Sequence, residues 1–120
     1  MLRVIVFSLA ALVAGSLPAL AADRFVSVIE DLPLMQGLEE NENAAVAFET
    51  AGGRIAEAEA RGNVTPAGAR GFYRSVLPQL GWKMIAEGDF QRDGERLKVV
   101  IEPDGDAGAV VGFSLSPVPK

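Results

Sequence analysis

The sequence predicts an α+β fold: a β-hairpin, one amphipathic helix and then an antiparallel β-meander, with the helix packed on one face of a single sheet. Three observations predict it. Between Thr65 and Trp82 apolar residues recur at helical spacing, and the stretch carries both a start and a stop signal. On either side of it apolar and polar residues alternate, which is the period of a strand. Gly-Gly, Asp-Gly and Pro-Asp-Gly turns separate the alternating runs. One helix over one twisted sheet is the simplest way to bury both apolar sets.

Residues 1–21 read as a signal peptide. Met1-Leu2-Arg3 is a short positive start, residues 4–17 are almost wholly apolar, and Pro18 breaks the run. Ala19-Leu20-Ala21 then supplies small residues at the signal-peptidase positions. A bilayer-spanning helix needs about 20 apolar residues, and this run is shorter. Cleavage after Ala21 is expected, leaving residues 22–120 as one small domain. Within it, 22–45 is expected to be an extended segment and 46–117 the core. The chain has no cysteine, so no lipoprotein anchor is expected, and no stable membrane anchor remains after cleavage. The expected location is periplasmic.

The elements follow in order. "DRFVSVIE" (23–30) alternates weakly, with Phe25 and either Val28 or Ile29 turned inward, and predicts a short edge strand. "DLPLMQGL" (31–38) contains Pro33 and Gly37, which exclude a central strand or regular helix, so an extended segment across the domain is expected. "EENEN" (39–43) predicts a polar loop. Val46 and Phe48 alternate with Ala47 and Glu49 as in a strand, and Gly52-Gly53 turn the chain. In "RIAEAEA" (54–60) alanine and glutamate favour helix. The strict alternation after a Gly-Gly turn favours the return strand of a hairpin, and strand is the reading adopted. Its small Ala56, Ala58 and Ala60 face lets a helix approach closely.

The helix begins at Thr65, a capping residue, followed by Pro66 at a position where its missing N–H costs nothing. Ala69, Phe72, Tyr73, Val76, Leu77 and Leu80 make one stripe. Gly81 is placed as the left-handed residue past the helix end. Trp82 stands where its N–H closes a Schellman motif on Leu77. Beyond it the period is two. Trp82, Met84 and Ala86 alternate, Glu87-Gly88-Asp89 turns the chain, residues 90–92 return, and Asp93-Gly94 signals a tight hairpin. Leu97, Val99 and Ile101 form one inward row, and Val111, Phe113 and Leu115 another. The tail "SPVPK" (116–120) is expected to fray.

Composition narrows the function by exclusion. The 120 residues carry 11 basic and 16 acidic side chains. Without Arg3 of the signal, the balance is ten against sixteen, a net charge of −6. No basic stripe is present, which argues against nucleic acid. About a hundred residues suffice for one core. Without cysteine that core relies on packing, unlike many small secreted domains. Absent His and Cys also remove the commonest catalytic base, the thiol nucleophile and most zinc-ligand sets. No catalytic residue, cofactor or metal is assigned.

Individual motifs add little. "EPDGDAG" (102–108) gathers three carboxylates but lacks the calcium-loop pattern and reads as a solvated turn. "NVT" (63–65) matches a glycosylation acceptor, yet Thr65 is already explained as a cap. "GFSLS" (112–116) misses the nucleophile-elbow pattern, and there is no histidine to activate its serines. Glu57, Glu59 and Glu95 are the carboxylates a small hydrolase or lyase would draw on. Arg54, Arg61, Arg92 and Arg96 are expected to pair with Glu57, Glu59, Asp93 and Glu95 on one surface.

"DLPLMQGL", "GGRIAEAEARG", "FYRSVLPQLGW" and "RDGERLKV", taken in this order, resemble a group of small secreted proteins of alphaproteobacteria that carry no assigned function. The resemblance covers most of the chain after residue 21 and implies a Gram-negative periplasmic location. It carries over no catalytic residue.

The expected role is non-catalytic binding of a protein or envelope component. Its candidate surface is Leu34, Met35 and Leu38, with Tyr73 and Trp82, whose polar atoms suit an interface. For these two aromatics the core is the competing and preferred placement. The alternative role is a small Asp/Glu-dependent hydrolase or lyase, which a cleft holding two carboxylates and an arginine would favour.

Overall fold

Among the described residues, seven strands and one long helix form in the order the alternating and helical runs set. A computed structural model describes residues 24–119, so the segment read as a signal peptide lies outside the described residues. The strands are β1 (Leu38–Glu40), β2 (Val46–Thr50), β3 (Gly53–Gly62), β4 (Lys83–Ala86), β5 (Asp89–Arg92), β6 (Glu95–Asp104) and β7 (Gly108–Pro117). The helix α1 runs Pro66–Gln79, and a 3-10 turn covers Glu42–Ala44. All strand pairs are antiparallel, in the order β1-β3-β7-β6-β5-β4. β2 shares the outer edge of β3 with β1: it pairs Gly53–Glu57, while β1 pairs Ala60–Gly62. The fold is α+β, with the helix on one face of the sheet.

The helix starts and stops as its sequence dictates. Thr65 Oγ1 accepts from Gly68 N–H at 2.9 Å, with Pro66 in the first turn. At the other end Trp82 N–H donates to the Leu77 carbonyl (3.1 Å) and Gly81 N–H to that of Pro78 (3.1 Å). That pair of bonds is the Schellman motif, with Gly81 at φ +91° in the left-handed region. Asp93 and Gly94 both take positive φ, as the two-residue turn between β5 and β6 requires.

Strand alternation sets the core. Ala56, Ala58 and Ala60 of β3 lie on the buried face of the sheet, beside Ala109, Val111, Phe113 and Leu115 of β7 and Leu97 and Val99 of β6. Ala69, Tyr73, Val76 and Leu77 close over them from the helix. Each fully buried Leu or Val here contributes on the order of 1.5–3 kcal/mol.

The N-terminal segment departs from its expected form. Residues 26–32 fold into turns, held by Val26 N–H to Leu32 O and Leu32 N–H to Ile29 O, with only a Phe25–Pro33 bridge in place of an edge strand. The inward residues are Val26, Ile29, Leu32 and Leu34, whereas Phe25 is exposed. Turn geometry overrides the weak alternation. Glu39 and Glu40 extend β1 rather than loop out, because β3 is long enough to pair two short strands. Val26, Ile29, Leu32, Leu34 and Leu38 of this segment are therefore part of the core. The tail does not splay at Val118, whose N–H donates to the Gly94 carbonyl at 2.8 Å.

Candidate functional site

The five residues read as an interaction surface do not form one. Leu34, Leu38, Tyr73 and Trp82 are buried, and Met35 is half-buried against the core. Pro33, Leu34 and Met35 lie where the helix carries Tyr73, which makes them part of the packing. The Tyr73 ring stands edge-on to Phe72 and Phe113, with centroids 4.8 and 5.3 Å away. Its hydroxyl donates to the Pro33 carbonyl (2.9 Å) and accepts from Met35 N–H (3.2 Å). Burial pushes that hydroxyl well above its ordinary pKa, with the Met35 hydrogen bond acting in the opposite sense.

Trp82 is 2% exposed, with the Arg92 guanidinium carbon 4.3 Å from its ring centroid. Arg92 Nη1 also donates to the Leu80 carbonyl (2.9 Å) and to Asp31 Oδ2 (2.5 Å). The Arg92 hydrogen bond holds the Asp31 carboxyl below its usual range, against a smaller opposing effect of burial. Trp82 Nε1 has no acceptor among the described residues.

The arginines pair, two of them with acids outside the expected set of Glu57, Glu59, Asp93 and Glu95. Arg54 binds Glu95 (2.9 Å) and Arg61 binds Glu59 (3.1 Å). Arg92 takes Asp31 in place of Asp93, and Arg96 takes Asp89 in place of Glu95. Cross-strand register decides the second choice, because Asp89 sits opposite Lys98, two residues along β6 from Arg96 and on the same face. The Arg96 hydrogen bonds lower the Asp89 pKa. Among the described residues no group of three or more acids, histidines or cysteines is placed to hold a metal ion.

Three surface features remain. The first is β2, exposed along its whole length, with Val46 (46%) and Phe48 (52%) pointing to the face away from α1. β3 is its only strand partner among the described residues, so the other backbone edge of β2 is unpaired. The second is a depression of about 380 Å³ bordered by Arg24, Phe25, Glu39, Glu40 and Glu42. Its Glu40 is already tied to Ser27 through both carboxylate oxygens.

The third is a cleft of about 270 Å³ between α1 and the β4–β6 side of the sheet. It exists because β5 ends at Asp89 opposite Lys98, while β6 continues to Asp104 beside β7 alone. Tyr73, Met84, Phe90, Val99 and Ile101 supply its apolar walls. Arg70, Arg74 and Glu87 bring charge to it, and Arg74 Nη2 donates to both Glu87 oxygens at 2.6 and 2.8 Å. No periodicity points to this cleft; a strand that outlasts its neighbour is a matter of register. The one sequence signal for it is Arg70, which stands on the polar side of the helix stripe.

A comparison with protein-family models finds no match, and comparisons with curated proteins and with solved structures find none either.

Proposed function

We propose that this chain acts without catalysis, as a periplasmic domain that binds a protein or envelope component. The carrying observation is β2, an edge strand with one free backbone edge and two large apolar side chains, Val46 and Phe48, standing in solvent. Natural edge strands are commonly blocked by lysine, proline or a covering loop. "VAFET" contains neither residue. A free edge of this kind recognises an extended segment by strand addition, with alternate side chains reading the partner. The hydrolase alternative gains no comparable support: the cleft beside α1 brings one carboxylate, Glu87, already held by Arg74. Of the acids the sequence offers for it, Glu95 is held by Arg54 and Glu59 by Arg61.

The export-type segment at residues 1–21 supports the compartment. An intact mass beginning at Ala22 in periplasmic material tests that part, and a full-length mass in the membrane fraction would overturn it. For the binding role, a photo-crosslinker at Phe48 is compared with one at the exposed helix residue Gln79 in living cells. A discrete adduct from position 48 alone, abolished by Val46→Lys, is the expected result. Equal adducts from both positions would sink the edge-strand reading.

A further inference from the structure

We propose that the cleft between α1 and the end of β6 binds a single-chain aliphatic carboxylate, with Arg70 receiving the carboxylate and the alkyl chain lying along Met84, Phe90 and Ile101. The site lies at the opposite end of the sheet from β2 and stands apart from the edge-strand reading.

Three independent features of the cleft carry this. The first is an apolar wall left uncovered. Met84 shares a face with its cross-strand partner Phe90, and Phe90 with Leu97, yet Phe90 is 2% exposed and Met84 42%. Met84 is therefore a side chain on the inward face that is left largely uncovered. Ile101, at the far end of the inward row of β6, is likewise only half covered.

The second is the charge at the rim. Arg54, Arg61, Arg74, Arg92 and Arg96 each pair with a carboxylate. Arg70 makes no ion pair or side-chain hydrogen bond among the described residues, although it lines the cleft one turn before Arg74. Glu87 is neutralised by Arg74, so the rim presents one uncompensated positive charge. In a chain of net charge −5, a free arginine beside apolar walls selects an anion attached to a hydrocarbon.

The third is the backbone of β6. Val99 N–H donates to the Gly88 carbonyl at 2.9 Å, which is the last bond on that side. Residues two apart on an antiparallel strand direct their N–H and C=O groups to the same side. Ile101 therefore aims its N–H past the end of β5, at the cleft. It is a second donor for the carboxylate. Pro103, the next residue of that alternation, has no N–H to offer. One donor is too few for the ladder that an added peptide strand needs, and one donor with one guanidinium suits one carboxylate. A volume of about 270 Å³ lies just under the range of roughly 300–1,000 Å³ usual for ligand pockets. It matches one slender chain.

The test uses decanoate as the probe against the purified full chain, followed by calorimetry and backbone-amide NMR. Expected is saturable binding that shifts the amides of Met84, Val99 and Ile101. Arg70→Gln should weaken decanoate by roughly tenfold or more, the loss of one charge-assisted hydrogen bond, and leave decanol unchanged. Met84→Glu, at an exposed wall position, should weaken both probes. Lys98→Gln, on the opposite sheet face, should weaken neither. The proposal is overturned by absence of saturable binding to the folded chain, by an Arg70→Gln variant that binds decanoate normally, or by a Lys98→Gln effect as large as that of Arg70→Gln. Preferential binding of a peptide with an apolar C-terminal residue and a free carboxylate, without decanoate binding, overturns it in favour of a protein tail.

Discussion

The Tyr73 hydroxyl joins the helix to the N-terminal segment: it donates to the Pro33 carbonyl oxygen at 2.9 Å and accepts from the following segment at Met35 N–H, 3.2 Å away. Tyr73→Phe leaves a buried carbonyl and a part-buried N–H without partners while preserving the ring contacts. It should cost about 1–3 kcal/mol, read as a lower urea midpoint with an unchanged slope. An unchanged midpoint would mean that water satisfies both groups.

The same hydroxyl sets an alkaline limit. Burial raises its folded pKa above the ordinary 10.0. The stability linked to this group is therefore fully present below about pH 10 and lost as pH rises through the folded value. Tyr73 is the only tyrosine, so phenolate absorbance should grow only together with loss of structure. A phenolate signal titrating near pH 10 in a chain with native circular dichroism would contradict this.

Acid stability turns on Asp31 and Asp89. Arg92 and Arg96 depress their folded pKa values below the unfolded 3.8. Their contribution is present above about pH 4 and is lost as pH falls through the folded values. Asp89→Asn should flatten the acid limb of a plot of melting temperature against pH, and Asp31→Asn should do the same. A limb as steep as the parent's in both variants would assign acid sensitivity elsewhere.

Trp82 and Gly81 form one unit at the helix end. Trp82→Ala should cost about 3–5 kcal/mol, the range for a buried large aromatic. That is a large share of the roughly 5–15 kcal/mol typical of a small domain. Trp82→Phe should cost clearly less, because it also removes the unpartnered Nε1 donor. Gly81→Ala should cost about 1–2 kcal/mol, since its φ of +91° disfavours a Cβ. Urea melts rank the three variants, and parent Trp fluorescence at a buried-indole wavelength is expected beside them.

Gly62 is the most constrained small residue between β1 and β3. A Cβ there would overlap the Gly37 carbonyl oxygen and press on Leu38 Cα at 3.0 Å, both backbone atoms that cannot swing aside. Gly62→Ala should therefore cost at least as much as typical overpacking, about 1–3 kcal/mol. Gly71→Ala, where nothing lies within 4 Å, should be neutral or slightly stabilising. A thermal melt of each separates backbone collision from a general glycine effect.

Local chemistry made much of this fold legible. Thr65-Pro66 and Gly81-Trp82 bracket the helix because capping and left-handed closure are decided by a few adjacent residues. The rows Ala56-Ala58-Ala60, Leu97-Val99 and Val111-Phe113-Leu115 face inward as their alternation predicts, because a strand's period of two is a property of the backbone. Even the ambiguous alanine-glutamate run resolves as strand from its alternation and its Gly-Gly turn.

Tertiary structure decided the rest. Leu34 is core where Tyr73, some 40 residues away, binds Pro33 and Met35 on either side of it, and Leu38 where it pairs opposite Gly62; no local pattern encodes those contacts. Phe25, expected inward, is exposed and Val26 is buried in its stead, because a set of turns replaced a strand, and turns have no period to read. Arg92 found Asp31 in the N-terminal turns, and Arg96 found Asp89 through the sheet register, instead of their sequence neighbours. The cleft beside Arg70 exists only because β6 outruns β5, a difference in strand length that becomes visible once the strands are paired. Hydrophobic periodicity and capping act over a few residues, so the chain specifies them alone; a surface is made of residues distant in sequence, and only packing brings them together.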